Sequence, residues 1–206
     1  IIAADKSGTS DPYCKVKLVQ ANGKPLPKEE YKTKTIQRTL DPEWNETFKM
    51  GEPFKNMPAL KGCKLVATLY DMDKGMFDKD DDLGTVEFGP IEVLAKTKKL
   101  KADLCFTLQS TAAMVKAKET ATGELHLRMK LLGDPDLVYE EFGDEAKTLP
   151  DHEFARDASK DVAMDELHAK EFEGKPCNEL HLTLVSAKGL LVMDTAVFGK
   201  GSSDPY

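Results

Sequence analysis

Several absences bound this 206-residue chain before any pattern in it is read. No run of about 18 apolar residues occurs, so no segment reads as a membrane-spanning helix. The four cysteines, Cys14, Cys63, Cys105 and Cys177, are scattered without a C-x-x-C pair. That argues against a zinc site and fits buried free thiols in a reducing compartment. Catalytic signatures are also missing. There is no G-x-S-x-G and no P-loop, and His152-Glu-Phe-Ala-Arg156 is not H-E-x-x-H, so no enzymatic activity is expected. The chain has no secretory signal and does not begin with Met, and it reads as a fragment of a longer cytoplasmic protein.

Positive charge is in short supply as well. The formal net charge is −7, which does not suggest nucleic acid. The deficit is uneven: residues 134–176 hold five Lys/Arg and fourteen Asp/Glu, a local net of −9, so the remainder stands at +2. A basic surface on the folded part is expected to coexist with a separate acidic segment.

What the chain has in excess is aspartate in one place. Tyr70-Asp-Met-Asp-Lys-Gly-Met-Phe-Asp-Lys-Asp-Asp-Asp-Leu-Gly84 lies between two alternating apolar runs and carries six Asp in the twelve positions 71–82. Two like charges about 4 Å apart repel by about 4 kcal/mol at an effective dielectric near 20. Such a loop either stays open in water or collapses around a cation, and hard oxygen donors at irregular spacing suit Ca²⁺. Asp71-x-Asp73-x-Gly75 superficially opens an EF-hand. That loop needs Gly sixth and usually Glu twelfth, where this chain has Met76 and Asp82, and its flanks are strand-like rather than helical.

Period-two alternation recurs along the chain. Cys14, Val16 and Leu18 share one face and Lys15 and Lys17 the other. Further strands are expected at Tyr31–Arg38, Trp44–Met50, 63–70, 83–88, Asp103–Gln109 and Gly123–Leu132, with turns at Asn22–Pro27 and Leu40–Pro42 and a polar loop before Gly123. From Asn178 the alternation returns with Leu180, Leu182 and Leu184. His126 and His181 fall on outward positions, where solvated histidine is common. Short strands separated by turn clusters indicate an all-β, eight-stranded antiparallel sandwich. Within 134–177, Phe154, Ala158 and Val162 fall at helical spacing, and Gly174 and Pro176 would stop a helix. The opening also recurs: Gly8-Thr-Ser-Asp-Pro-Tyr13 against Gly201-Ser-Ser-Asp-Pro-Tyr206, a spacing that suits tandem domains with a linker.

Asp5-x5-Asp11-Pro-Tyr, Lys32-Thr-Lys-Thr-Ile36, Thr39-Leu-Asp-Pro-Glu-Trp-Asn-Glu-Thr-Phe48 and Tyr70-Asp-Met-Asp with its closing Asp-Asp-Leu-Gly84 resemble the C2 domain, a calcium- and phospholipid-binding β-sandwich. The lysines sit closest to those of conventional protein kinase C and synaptotagmin C2 domains. The resemblance implies a C2 domain over 1–133 lacking its first strand, an acidic linker over 134–177, and the first strand and first loop of a second copy over 178–206. It implies Ca²⁺ ligands at Asp5, Asp11, Asp71, Asp73 and Asp81, with Asp80 or Asp78 as substitutes for the last. Asp194 and Asp204 match the first-loop pair of the second copy.

The implied function is calcium-dependent binding to anionic phospholipid, phosphatidylserine above all, as the peripheral-membrane targeting module of a multi-C2 protein. Met76 and Phe77 would form an inserting tip, and Lys15, Lys17, Lys32 and Lys34 a phosphoinositide-binding patch. The alternatives are a calcium-independent protein-interaction scaffold, with protein partners, and the targeting segment of a lipid-modifying enzyme or kinase. The two ends are complementary in one further respect. Asn178–Leu191 is expected to fill the sheet edge that a missing first strand leaves unpaired, in cis or between two chains.

Overall fold

The computed structural model describes residues 10–50, 62–73, 79–90, 93–94, 101–132 and 179–191, residues 27–29 by backbone alone. The linker over 134–177 and its expected helix lie outside them. Among the described residues eight strands run in chain order: β1 Pro12–Val19, β2 Pro25–Lys32, β3 Glu43–Met50, β4 Lys64–Asp71, β5 Asp81–Phe88, β6 Lys101–Thr107, β7 Glu124–Leu132 and β8 Glu179–Lys188. A short helix, α1 Ala112–Ala117, precedes β7. The strands form two four-stranded sheets, ordered β2-β1-β4-β5 and β3-β8-β7-β6, with every named pairing antiparallel.

Alternation decides which side chains meet between the sheets. Cys14, Val16 and Leu18 of β1 face inward with Leu65, Ala67 and Leu69 of β4. Opposite them lie Leu104, Leu125, Leu127, Met129, Leu131, Leu180, Leu182 and Leu184. Each fully buried Leu contributes on the order of 1.5–3 kcal/mol, so this inner layer dominates the stability. Two aromatic pairs close the sandwich at its open sides. Phe88 of β5 stacks on Phe106 of β6 at 4.6 Å between ring centroids. Tyr31 of β2 lies 5.2 Å from Phe48 of β3, and its hydroxyl donates to the Lys49 carbonyl at 2.6 Å. Cys14 and Cys63 are buried, and burial pushes the Cys14 thiol far above its ordinary range.

Several boundaries depart from expectation. The second strand is Pro25–Lys32, not Tyr31–Arg38, so the turn is shorter and Lys34 lies past the strand end. Beyond Lys32 the ladder is broken by Thr33: the Cys14 N–H donates to the Thr33 hydroxyl oxygen at 2.9 Å instead of to a backbone carbonyl. β5 begins at Asp81, two residues early, because a bulge between Gly84 and Asp82 gives Leu83 an extra place in the strand. β6 is Lys101–Thr107, shifted from 103–109. The expected polar loop before Gly123 contains α1, whose N-cap Thr111 accepts from Met114 N–H at 3.2 Å. The strand 179–188 occupies no edge. It is hydrogen-bonded to β3 on one side and β7 on the other.

Trp44 is 7 % exposed, and its indole Nε1–H finds no hydrogen-bond partner among the described residues. An unsatisfied buried donor costs about 1–3 kcal/mol. Trp44→Phe removes that donor together with part of the ring, so the loss of packing and the relief offset each other. We expect Trp44→Phe to destabilise by less than about 1.5 kcal/mol and Trp44→Ala by about 3–5 kcal/mol. Urea unfolding followed by far-ultraviolet circular dichroism measures both. Equal losses for the two variants would mean the indole N–H is satisfied.

Candidate functional site

The candidate site is assembled by the antiparallel arrangement of three strands at one end of the first sheet. β1 starts where β4 ends, so Pro12 is the register partner of Asp71. β5 starts beside the same point, with Asp81 opposite Asp71. Asp11 leads into β1, Asp71 closes β4, Asp73 follows two residues later and Asp81 opens β5. Backbone pairing therefore brings these four positions, up to 70 residues apart in sequence, to one end of the sheet.

Two of them are almost fully enclosed, Asp11 at 5 % exposure and Asp71 at 3 %. Burying a charge is costly unless it is hydrogen-bonded or paired. Here the main chain supplies donors. Asp71 Oδ1 accepts the Asp11 N–H at 2.6 Å, and Asp11 Oδ1 accepts the Arg38 N–H at 2.8 Å. Arg38 has φ 55°, a left-handed conformation that a side-chain-bearing residue adopts only when its surroundings impose it. The Met72 N–H donates to the Asp11 carbonyl at 3.1 Å, tying the start of β1 to the chain leaving β4.

Of the remaining carboxylates, Asp80 accepts from the Asp73 N–H at 3.2 Å and from the Tyr13 hydroxyl at 2.5 Å. Asp82 accepts from the Thr111 hydroxyl. Asp81 is exposed. Asp80 and Asp82 are thus engaged by neighbouring side chains, and Asp81 faces solvent beside Asp71. The donors brought together are all oxygens, which fits a hard divalent cation rather than a soft one. Among the described residues no group of three or more His, Cys, Asp or Glu is close enough to hold a metal by itself. Asp5, Asp78, Met76, Phe77, Asp194 and Asp204 lie outside the described residues.

The lysines occupy the outer face of the same sheet. Lys15 and Lys32 are register partners, and their row continues through Thr68 to Thr85. Lys17 pairs with Glu30, which offsets its charge, and Lys34 lies beyond the strand with its backbone N–H on Glu46 Oε1 at 2.9 Å. The patch the structure assembles is therefore Lys15 with Lys32, and the other two stand apart from it.

Sequence reasoning overlooked the residue that joins the patch to the carboxylates. Tyr13 is fully buried on that outer face, stacked on Tyr70 at 5.4 Å. Lys32 Nζ stands 3.6 Å from its ring centroid, and Lys15 Nζ 5.0 Å from that of Tyr70. These are cation–π distances. Burial first, and then the bond to Asp80, push the Tyr13 hydroxyl well above the usual tyrosine range, so it remains a donor. The available signal was its outward parity with Lys15 and Lys17. His126 and His181 also face outward, but each is half-buried against a carboxylate, Asp103 and Glu179 respectively, on the other sheet. They take no part in this site.

The sequence model of a known family, described as the C2 domain, matches residues 1–104. Mouse synaptotagmin-2 is 42 % identical over 85 residues, covering 41 % of this chain and 18 % of that protein. Rabphilin-1 of Caenorhabditis elegans is 41 % identical over 78 residues, covering 38 % of this chain and 6 % of that protein. Human synaptotagmin-1 is 35 % identical over 122 residues, 52 % of this chain and 26 % of that protein. The chain thus spans about a quarter or less of the length of these relatives.

Proposed function

Because the chain belongs to the C2 domain family, we propose that it is a calcium-dependent module for anionic phospholipid membranes, serving to target a multi-C2 protein. The observation that carries the reading is the enclosed pair Asp11 and Asp71, joined by the Asp11 N–H on Asp71 Oδ1 and set beside Asp73 and Asp81.

Asp11, Asp71, Asp73 and Asp81, with Asp5, would hold Ca²⁺. The bound ion would supply positive charge and open coordination positions for phosphate oxygens of phosphatidylserine. What the chain's own residues do follows from their placement. Without the ion, the carboxylates repel an anionic surface; held by backbone N–H groups, Asp11 and Asp71 are already oriented as ligands and need little rearrangement. Lys15 and Lys32, on the outer face of the same sheet, add attraction for an anionic headgroup such as a phosphoinositide. Met76 and Phe77, midway along the acidic stretch 71–82 in sequence, are the residues we assign to the apolar boundary of the lipid. Among the described residues no helix is long and apolar enough to cross a membrane.

Sedimentation with vesicles containing phosphatidylserine tests this. Pelleting is expected with calcium and not with a chelator, and equal pelleting under both conditions would replace the switch with calcium-independent binding. Within the same assay Lys32→Glu reverses one charge. At about 1 kcal/mol per unit charge near an anionic surface, the change of two charge units amounts to about 2 kcal/mol and should weaken calcium-saturated binding by about 30-fold.

A further inference from the structure

β8 is held in its slot by specific fits along its whole length. It is hydrogen-bonded to β3 from Met50–Leu180 to Glu43–Ser186, and to β7 from Leu132–Glu179 to Glu124–Lys188. Leu180, Leu182 and Leu184 are fully buried. At its end, Gly189 N–H donates to Asp41 Oδ1 at 2.8 Å, Leu190 N–H to the Leu40 carbonyl at 3.2 Å, and the Ser10 hydroxyl to the Leu191 carbonyl at 3.1 Å. Gly123 makes room for it, since a Cβ there would stand 2.2 Å from the Lys188 carbonyl oxygen.

The covalent route into this slot is, by contrast, far longer than it needs to be. Leu132 and Glu179 are register partners, so the end of β7 and the start of β8 are adjacent. Antiparallel neighbours are ordinarily joined by two to five residues. Here residues 133–178 intervene, 46 in all, a length that extended could reach about 150 Å. The connection therefore specifies poorly whose β8 enters the slot. A strand from a second chain would make every bond and contact that its own strand makes.

We propose that β8 is an exchangeable strand, and that two copies of this chain form a closed dimer in which each β8 lies between β3 and β7 of the other. The balance is set by concentration alone, because the slot contacts are identical in both states. A long linker confers an effective concentration of order 1 mM or less. The monomer prevails well below that, and the dimer accumulates toward it. Exchange requires β8 to leave two hydrogen-bonded ladders, so the forms interconvert slowly and can be separated. Because Gly189, Leu190 and Leu191, which follow β8, are hydrogen-bonded to Asp41, Leu40 and Ser10, each candidate site in the dimer is braced by the other chain.

Thr47 of β3, exposed, and Thr183 of β8, half-buried, are register partners, their hydroxyl oxygens 2.8 Å apart. 206-residue chains carrying Thr47→Cys are unfolded together with 206-residue chains carrying Thr183→Cys, both with Cys105→Ser and Cys177→Ser. They are then refolded and oxidised, and cross-links are identified by mass spectrometry. A disulfide between position 47 of one chain and 183 of the other forms only when β8 has crossed over. We expect it as a major product after refolding at about 1 mM and at least tenfold less at about 1 µM. The Thr47→Cys, Thr183→Cys double variant is the companion measurement. If it gives the intramolecular bridge at both concentrations while the mixed chains give no 47–183 link at about 1 mM, strand exchange is overturned. Light scattering of the unsubstituted chain must show the dimer under the same conditions, and a monomer throughout overturns it equally. Neither readout depends on calcium, so the outcome is separable from that of the lipid-binding reading.

Discussion

The chain carrying Asp71→Asn with Asp73→Asn is expected to lose calcium affinity by on the order of a hundredfold, since affinity in oxygen-ligand sites is tuned by ligand charge count. Its calcium-dependent vesicle binding should disappear with it. The substitution is chosen to remove charge and little else. The amide oxygen introduced at position 71 can still accept the Asp11 N–H that Asp71 Oδ1 accepts at 2.6 Å, so the strand ends stay joined. A buried carboxylate beside other carboxylates is a liability without a cation, and repulsion at about 4 Å amounts to about 4 kcal/mol at an effective dielectric near 20. Neutralising two charges should therefore leave the calcium-free protein as stable as before, or more so. Bound calcium at one hundred times its dissociation constant would stabilise the unsubstituted chain by about 2.7 kcal/mol. The double variant should gain almost none of this. These opposite signs separate loss of a ligand set from misfolding. Titration calorimetry decides the matter: calcium heats unchanged by the two substitutions would place the site elsewhere.

How far the sequence was legible depended on whether a feature lived within one strand or between strands. β1, β3, β4, β7 and β8 were found within a residue or two because a half-buried strand writes its own period-two record, as Leu180, Leu182 and Leu184 do. β2 escapes the sequence pattern because Pro25 and Pro27 favour a turn. β2 is an edge strand, where a proline costs no ladder bond on the solvent side. The bulge at β5 hid because Leu83 and Gly84 are buried in succession, which breaks the alternation the eye follows. α1 is only six residues long, too short for a helical period to register.

The same distinction applies to the site. Asp11, Asp71, Asp73 and Asp81 were visible as residues because they stand in motifs at strand ends. Tyr13 was not, because its role depends on Tyr70, Lys32 and Asp80, three neighbours supplied by three other stretches of the chain. Nor could alternation say where β8 would sit. It records that one face is buried and nothing about which strands lie on either side, so an edge was expected where a central strand was found.

The centrality of β8 makes Gly123 the most vulnerable glycine described. Gly123 has φ 92°, and a Cβ built on it would stand 2.2 Å from the Lys188 carbonyl oxygen and 2.7 Å from that of Gly189. Both obstacles are backbone, so no side chain can swing away to relieve them. Gly123→Ala must either push β8 from β7 or strain the turn that starts β7. Backbone strain of this kind costs about 1–3 kcal/mol, and overpacking adds about 1–3 kcal/mol. The sum is a large share of a typical domain's 5–15 kcal/mol, roughly. Gly23 provides the comparison, because it too has positive φ, 79°, with nothing within 4 Å of a Cβ. Gly23→Ala bears only the conformational penalty, about 1–2 kcal/mol. Urea unfolding should therefore rank Gly123→Ala well below Gly23→Ala. Amide exchange in the former should rise first in β8, whose bonds to β7 are the ones displaced. A Gly123→Ala chain as stable as Gly23→Ala, with β8 still protected, would show that the slot is looser than its geometry requires, and that β7 can yield without releasing its neighbour.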